Sequence, residues 1–318
     1  MKTKIAILAL VALSFASCNK NEEFKESSSF PADGVIRIAT NVENPKSRAG
    51  LTTQNLNNIG FHVVNFMSKA YCYSNVKMNY ANNVWNSETM MLWEKENREV
   101  KIMAYSPYIK GANDITAVPF AVKADQSTEE NVKVSDFVYQ TLDFIPSQHL
   151  VDGKVNLNLQ HVMSKLVVKI ILGTEFNTTP GTTTNPIESV SVNGTKVNCT
   201  LNFKNNASVR PQDLTGDAES VLMYQESYAA AADLATNATS EYQCILLPQT
   251  VATNAFTIDI FIKGKGNYKY TLSTAQTFGV GRIYSLTLNV GKDMVTAGNM
   301  TITEWVLGNG EGSNHITE

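Results

Sequence analysis

The chain has 318 residues, 43% of them hydrophobic and only 17% charged, with a formal net charge of −3 and a pI near 5.9. At roughly 100 to 200 residues per domain, the length predicts two domains, each able to hold a core. The charge balance excludes a nucleic-acid binder, because neutralising phosphates takes a clustered excess of Lys and Arg, and a polar fraction rich in Asn, Thr and Ser favours strands and loops over helices.

Lys2 and Lys4 precede an apolar run from Ile5 to Phe15, followed by Ala16, Ser17 and Cys18. This is the order of a secretory signal over residues 1–17, and the run is too short to span a bilayer. Phe15-Ala16-Ser17-Cys18 resembles a bacterial lipobox. The resemblance implies that Cys18 carries acyl chains such as palmitate, becomes the mature N-terminus and anchors the protein to the outer membrane; ordinary secretion with cleavage near Ser17 is the alternative. Residues 18–33 (CNKNEEFKESSSFPAD) lack periodicity and read as a flexible tether. Its acidic start resembles the surface-export signal of Bacteroidetes lipoproteins.

From Gly34 to Val42 the sequence alternates. Ile36, Ile38, Thr40 and Val42 share one face, the pattern of a half-buried strand. Pro45 and Gly50 punctuate the polar stretch that follows, which predicts an exposed loop containing Arg48 and Ala49. Further strands are expected at Ile59–Val64, Ala70–Tyr73, Glu99–Tyr105 and Val155–Leu159, with a short helix or an irregular turn at Ser135–Leu142. A second series runs through Lys165–Leu172, Ile187–Val192, Lys196–Phe203, Val221–Tyr224, Tyr242–Leu247, Phe256–Ile262, Tyr268–Leu272, Ile283–Val290 and Met300–Val306. Alanine-rich Tyr228–Leu234 is the one good helix former, too short to stand alone. No helix-length segments alternate with the strands, so the expected fold is all-β: two tandem antiparallel β-sandwiches over 34–160 and 161–307, then a flexible tail over 308–318.

Chemistry-bearing motifs are absent. His62, His149, His161 and His315 have no metal-ligand spacing, and there is no Cys-x-x-Cys, nucleophile elbow, P-loop or dinucleotide fingerprint. The sequence therefore implies no enzyme, metal or cofactor. With Cys18 acylated, Cys72, Cys199 and Cys244 remain; Cys199 and Cys244 either pair or stay buried as free thiols. Trp85, Trp93 and Trp305 are read as core and rim packing, against the alternative of a sugar-stacking platform. Trp305 is expected to cover one end of the second sandwich.

Several stretches in order resemble the fimbrillin-like (Mfa-like) surface lipoproteins of Bacteroidetes. They are Cys18, the Pro45-to-Ala49 ending of the first strand, Ala104-Tyr105-Ser106-Pro107-Tyr108, Ser135-Asp136-Phe137-Val138-Tyr139, Leu157–Leu166, Leu246-Leu247-Pro248-Gln249-Thr250 and Ile302-Thr303-Glu304-Trp305. The resemblance implies transthyretin-like sandwiches and a non-enzymatic fimbrial subunit or cell-surface adhesin, whose partners are other fimbrial subunits or itself and a host or bacterial surface ligand. It further implies that an arginine-specific protease cuts between Arg48 and Ala49, so that the strand of Ile36, Ile38, Thr40 and Val42 leaves and a strand from another subunit takes its groove. The tail Gly308–Glu318 offers only Ile316 as an aliphatic anchor for donation, so either Met300–Leu307 donates and leaves the second sandwich, or the chain accepts a strand and gives none, as a tip subunit would. A monomeric surface glycan-binding lipoprotein is the rival reading.

Overall fold

A computed structural model describes residues 29–42, 50–177, 184–203 and 211–305. Cys18, Arg48 and Ala49, like the signal segment, most of the tether and the tail, lie outside the described residues.

The first half contains β1 (Ile38–Val42), β2 (Asn58–Asn65), β3 (Tyr73–Ala81), β4 (Val84–Ser87), β5 (Val100–Ser106), β6 (Val118–Ala121), α1 (Glu129–Ser135), β7 (Val138–Phe144), α2 (Pro146–His149) and β8 (Val155–His161). Seven of these strands form one sheet in the order β1-β8-β7-β5-β2-β3-β4, with β1 parallel to β8 and the other pairs antiparallel. The sheet curls until its ends meet. Just before β1, the Ile36 N–H donates to Met91 O (2.9 Å) and the Trp93 N–H donates to Gly34 O (2.8 Å). The enclosed core includes Ile36, Ile38, Phe61, Met78, Ile102 and Leu157.

The second half contains β9 (Ser164–Leu172), β10 (Ile187–Thr195), β11 (Asn198–Leu201), β12 (Pro211–Thr215), β13 (Glu219–Leu222), β14 (Tyr224–Ala229), β15 (Thr239–Leu246) and β16 (Gln249–Val251). It continues with β17 (Thr257–Ile262), β18 (Gly266–Thr271), β19 (Gln276–Phe278), β20 (Arg282–Val290), β21 (Val295–Ala297) and β22 (Thr301–Glu304). One layer is β13-β10-β17-β18. The other is β14-β15-β9-β20-β21, where β9 and β20 run parallel and β22 shares the outer edge of β20 with β21. Leu166, Val168, Ile170 and Leu172 alternate along β9 and bury completely, as Ile258, Ile260 and Ile262 do along β17. This is the period of two that marks a sheet face turned to a core.

The chain is all-β, as its patterning implies. Three local expectations are corrected. Ala70–Tyr73 is not a strand: Lys69–Tyr71 forms a 3-10 turn, closed by Cys72 Sγ, which bonds the N–H and the C=O of Asn65 (3.2 and 3.3 Å). Tyr228–Leu234 is not helical, because Tyr228 and Ala229 pair with Ser240 and Thr239 of β15, and sheet pairing outweighs the propensity of alanine. Within Ser135–Leu142, Ser135 ends α1, Asp136 and Phe137 link it onward, and Val138–Leu142 lie in β7.

The chain passes from the first sheet to the second at Val162 and Met163, yet the two halves share structure. β6 pairs with β11 in a separate three-stranded sheet. The rings of Tyr105, Phe137 and Tyr139 pack on Phe203 with centroids 5.0 to 5.9 Å apart. Gln126, fully buried, both donates to and accepts from the Ile245 backbone at 2.8 Å. The change of sheet therefore falls at residues 162–163, just past residue 160, and side chains of the first half such as Tyr105, Phe137 and Tyr139 belong to the core of the second.

Candidate functional site: the first strand and the junction behind it

β1 lies in a slot. Residues 38–42 run in register with Val155–Leu159 of β8, while the stretch just before them bonds Met91 and Trp93 beyond β4. Ile36, Ile38 and Val42 are 4%, 5% and 0% exposed and face the first core, whereas Arg37 points outward to a surface pair with Asp33. Thr40, on the same face as the aliphatics, is half-buried, and its Oγ1 accepts from Trp85 Nε1–H at 3.1 Å. The sequence-derived strand thus has its inward face where alternation puts it.

Both flanks of the 43–49 connection are pinned. On the near side, the Val42 N–H donates to Thr53 Oγ1 (2.9 Å), whose own hydroxyl donates to Asn41 Oδ1 (2.8 Å). On the far side, the Leu51 N–H donates to Asp136 Oδ2 (2.8 Å), and Asn55 Nδ2 donates to Gly50 O (2.8 Å). Gly50 has φ +115° and sits so close that a Cβ would stand 3.1 Å from Asp136 Oδ2 and 3.3 Å from Trp305 Cζ2. Only glycine combines that backbone with that approach.

Asp136 belongs to a buried junction that the motif search did not find. It follows α1, whose N-cap Thr128 accepts from the Asn131 N–H and whose C-terminal carbonyls accept from the Asp136 N–H. His161 Nδ1 lies 3.0 and 3.1 Å from the two Asp136 carboxylate oxygens, with both side chains fully buried. Trp305, 2% exposed, stacks on the His161 ring at 3.8 Å with planes 10° apart, and Lys165 Nζ stands 5.6 Å from the Trp305 ring. Burial pushes the Lys165 ammonium down to about 8, against the opposing pull of Asp136 and, more weakly, Glu226 and Glu241. Trp305 closes the junction between the halves, where the end of the second sandwich was expected. With both members of the Asp–His pair shut from solvent, the cluster serves as a clamp.

The other candidate residues are dispersed. Cys199 and Cys244 are buried free thiols, with Cys199 pushed up to about 12 by burial, while Cys72 is free and exposed. Trp93 is buried against Phe144. Trp85, beside Tyr80 at 5.2 Å, forms the one aromatic pair on the β3–β4 hairpin that reaches solvent among the described residues. Among the described residues, no group of three or more His, Cys, Asp or Glu could hold a metal ion.

A family model described as fimbrillin-like matches residues 47–305, a range that begins after β1 and ends at Trp305. No curated protein matches this chain. Among solved structures, a candidate cell adhesion protein of Bacteroides uniformis aligns with a TM-score of 0.60 at 16% identity, covering 87% of this chain and 100% of the other. One from Bacteroides ovatus gives 0.61 at 15%, covering 86% and 99%. A fimbrial protein of Bacteroides vulgatus gives 0.53 at 13%, also covering 86% and 99%. At these identities the likeness is one of fold.

Proposed function

This chain belongs to the fimbrillin-like family, and from that membership and the slot filled by β1 we propose that it is a non-enzymatic fimbrial subunit or cell-surface adhesin that assembles by strand exchange. In this reading Cys18 carries the lipid that holds the precursor at the outer membrane, and an arginine-specific protease cuts between Arg48 and Ala49. The freed first strand gives way to a strand from another fimbrial subunit or from a second copy.

The observation that carries the reading is the geometry of β1. It fills an apolar groove with Ile36, Ile38 and Val42, pairs with β8 along one side and is bonded to Met91 and Trp93 by the residues just before it, while its one covalent link to the strands that follow is the 43–49 connection. Its departure would leave unpaired backbone on β8 beside an apolar groove, the arrangement that accepts a donated strand. The tip role draws support from the C-terminus: β22 is already paired with β20, and Trp305 is buried, so this strand is engaged within its own chain.

The test is limited digestion of the full precursor with an arginine-specific protease, followed by sizing and by addition of a synthetic peptide of alternating aliphatic residues. Loss of the N-terminal fragment together with uptake of the peptide is the expected result. A chain left uncut at Arg48, or a cut chain that keeps its strand and takes no peptide, would overturn the assembly model.

The glycan-binding alternative draws on Tyr80 and Trp85 alone. Trp85 Nε1–H is already engaged with Thr40, which ties that ring to β1 and leaves it less free to serve a sugar.

A further inference from the structure

The first sheet has two distinct ends. Asn65, the last residue of β2, pairs with Val100 at the start of β5, and Val100 pairs with Phe144 at the end of β7. β8 and β1 both begin at this end, with Ile38 opposite Val155. The opposite end carries Val138 and His161 and meets the second half. The loops at residues 66–72 and 145–154 and the approach to β1 therefore gather at the end remote from the junction.

Three large apolar side chains stand in solvent on these loops: Phe66 at 64% exposure, Met67 at 73% and Val151 at 52%. The 66–72 loop is firmly built. Asn65 Oδ1 accepts from the Met67 and Ser68 N–H groups (2.9 and 3.0 Å), and Asn65 Nδ2 donates to Glu94 Oε2 (2.8 Å). Cys72 Sγ closes the loop on the Asn65 backbone. These hydrogen bonds fix the backbone that presents Phe66 and Met67, two adjacent large apolar residues, to solvent.

The same end receives the tether. Ser29 Oγ donates to Leu150 O (2.9 Å), one residue before Val151. From Cys18 to Ser29 is eleven residues, which reach about 40 Å at full extension and on the order of 20 Å as a coil. A lipid on Cys18 would hold this face against its own bilayer. We propose that Phe66 and Met67, with Val151 at the same end of the sheet, enter the boundary between headgroups and acyl chains of the anchoring membrane, so that the uncut precursor rests on its first half with the second half outward. This rests on the lipid reading of Cys18. Exposed Lys69, Lys95 and Lys154 at this end are offset by exposed Glu96, Glu99 and Asp152, while Asp143 is paired with Lys101, so the contact is apolar in origin and little changed by salt.

The test uses the full lipidated chain with Phe66→Trp, reconstituted into phosphatidylcholine vesicles with and without dibrominated acyl chains. Trp85, Trp93 and Trp305 supply a background common to the parent protein. Co-flotation with vesicles reads the anchor, and the emission added by Phe66→Trp reads the tip. The expected result is a blue shift and bromine quenching of that added emission, with the same loss at low and high salt. A floating protein whose added emission is unquenched would overturn the proposal, as would a blue shift that follows protein concentration, which would signal a second copy on this face. If the protein fails to float, the lipid reading has failed. The same variant is then held at residue 18 by a hexahistidine on nickel-chelating lipid, where quenching still supports the tip contact and its absence overturns it.

Discussion

Shortening the inward side chains of the first strand tests whether β1 is held by its groove. Ile36 and Ile38 are 4% and 5% exposed, and an Ile→Ala change removes three carbons whose burial is worth about 0.8 kcal/mol each. A residual cavity adds to that loss, giving a range of about 2–5 kcal/mol for buried aliphatics cut to Ala. β1 is bonded to β8 along its full length and to Met91 and Trp93 only before it begins, so the groove can close partly over the gap. The low end applies, about 2 kcal/mol for each single variant, with the double variant less than additive because the two side chains are neighbours on one face. Urea unfolding of the uncut chain should show Ile36→Ala and Ile38→Ala each lowering stability by this amount. Arg37→Ala, between them but pointing outward, should leave the midpoint unchanged. In the protease-cut chain, about 2 kcal/mol corresponds to roughly thirty-fold weaker retention of the strand. Its departure is readable in Trp85 emission, because Trp85 Nε1 loses Thr40 Oγ1. If Ile38→Ala proved indistinguishable from Arg37→Ala in both assays, the groove would not be what retains β1.

The junction and the thiols yield further expectations. Asp136→Ala should destabilise the protein by about 3–5 kcal/mol in denaturant titration, since it strips His161, the Leu51 N–H and Lys165 of a shared buried carboxylate; Asp136→Asn should recover part of the loss by still accepting from Leu51. Lys165 is pushed down to about 8 from an ordinary value of 10.5, so between these pH values the unfolded chain binds more protons and this residue makes stability rise with pH. Lys165→Met should therefore flatten the stability profile from pH 8 to 10.5, and a variant with the parental slope there would refute the assignment. In a native thiol titration Cys72 should react at once, with Cys199 and Cys244 reacting only after unfolding.

Where one strand face meets one core, the fold was legible. Alternation in Gly34–Val42, Lys165–Leu172 and Phe256–Ile262 located β1, β9 and β17 and their inward residues, because period two is what a two-layer sandwich imposes. Elements whose partners are distant in sequence were not legible in this way. β6 is four residues long and depends on β11, about eighty positions further on. β14 takes Tyr228 and Ala229, the start of the alanine-rich run, into a strand because β15 offers them partners. α1, seven residues long, carries a helix-start signal in Thr128 followed by Glu129 and Glu130, but no apolar periodicity long enough to mark a helix among the strands around it.

The site divides along the same line. Ile36, Ile38, Thr40 and Val42 could be assigned to one face from spacing alone, whereas Asp136, His161, Lys165 and Trp305 carry no shared motif. Lys165 even lies on the face of β9 opposite Leu166 and Val168, where parity predicts solvent, and it is buried because Trp305, 140 positions later, covers it. That difference bears on assembly. The aliphatic anchors of β1 all belong to the first core. The clamp on Leu51, in contrast, is built from residues at the start of β7, the end of β8, β9 and the C-terminal end. A break within 43–49 would separate these two sets of contacts: the strand could leave the first core while Asp136 still held Leu51 at the junction. The second half would then keep its packing through the exchange, and the opened first sandwich would present its groove from a fixed base.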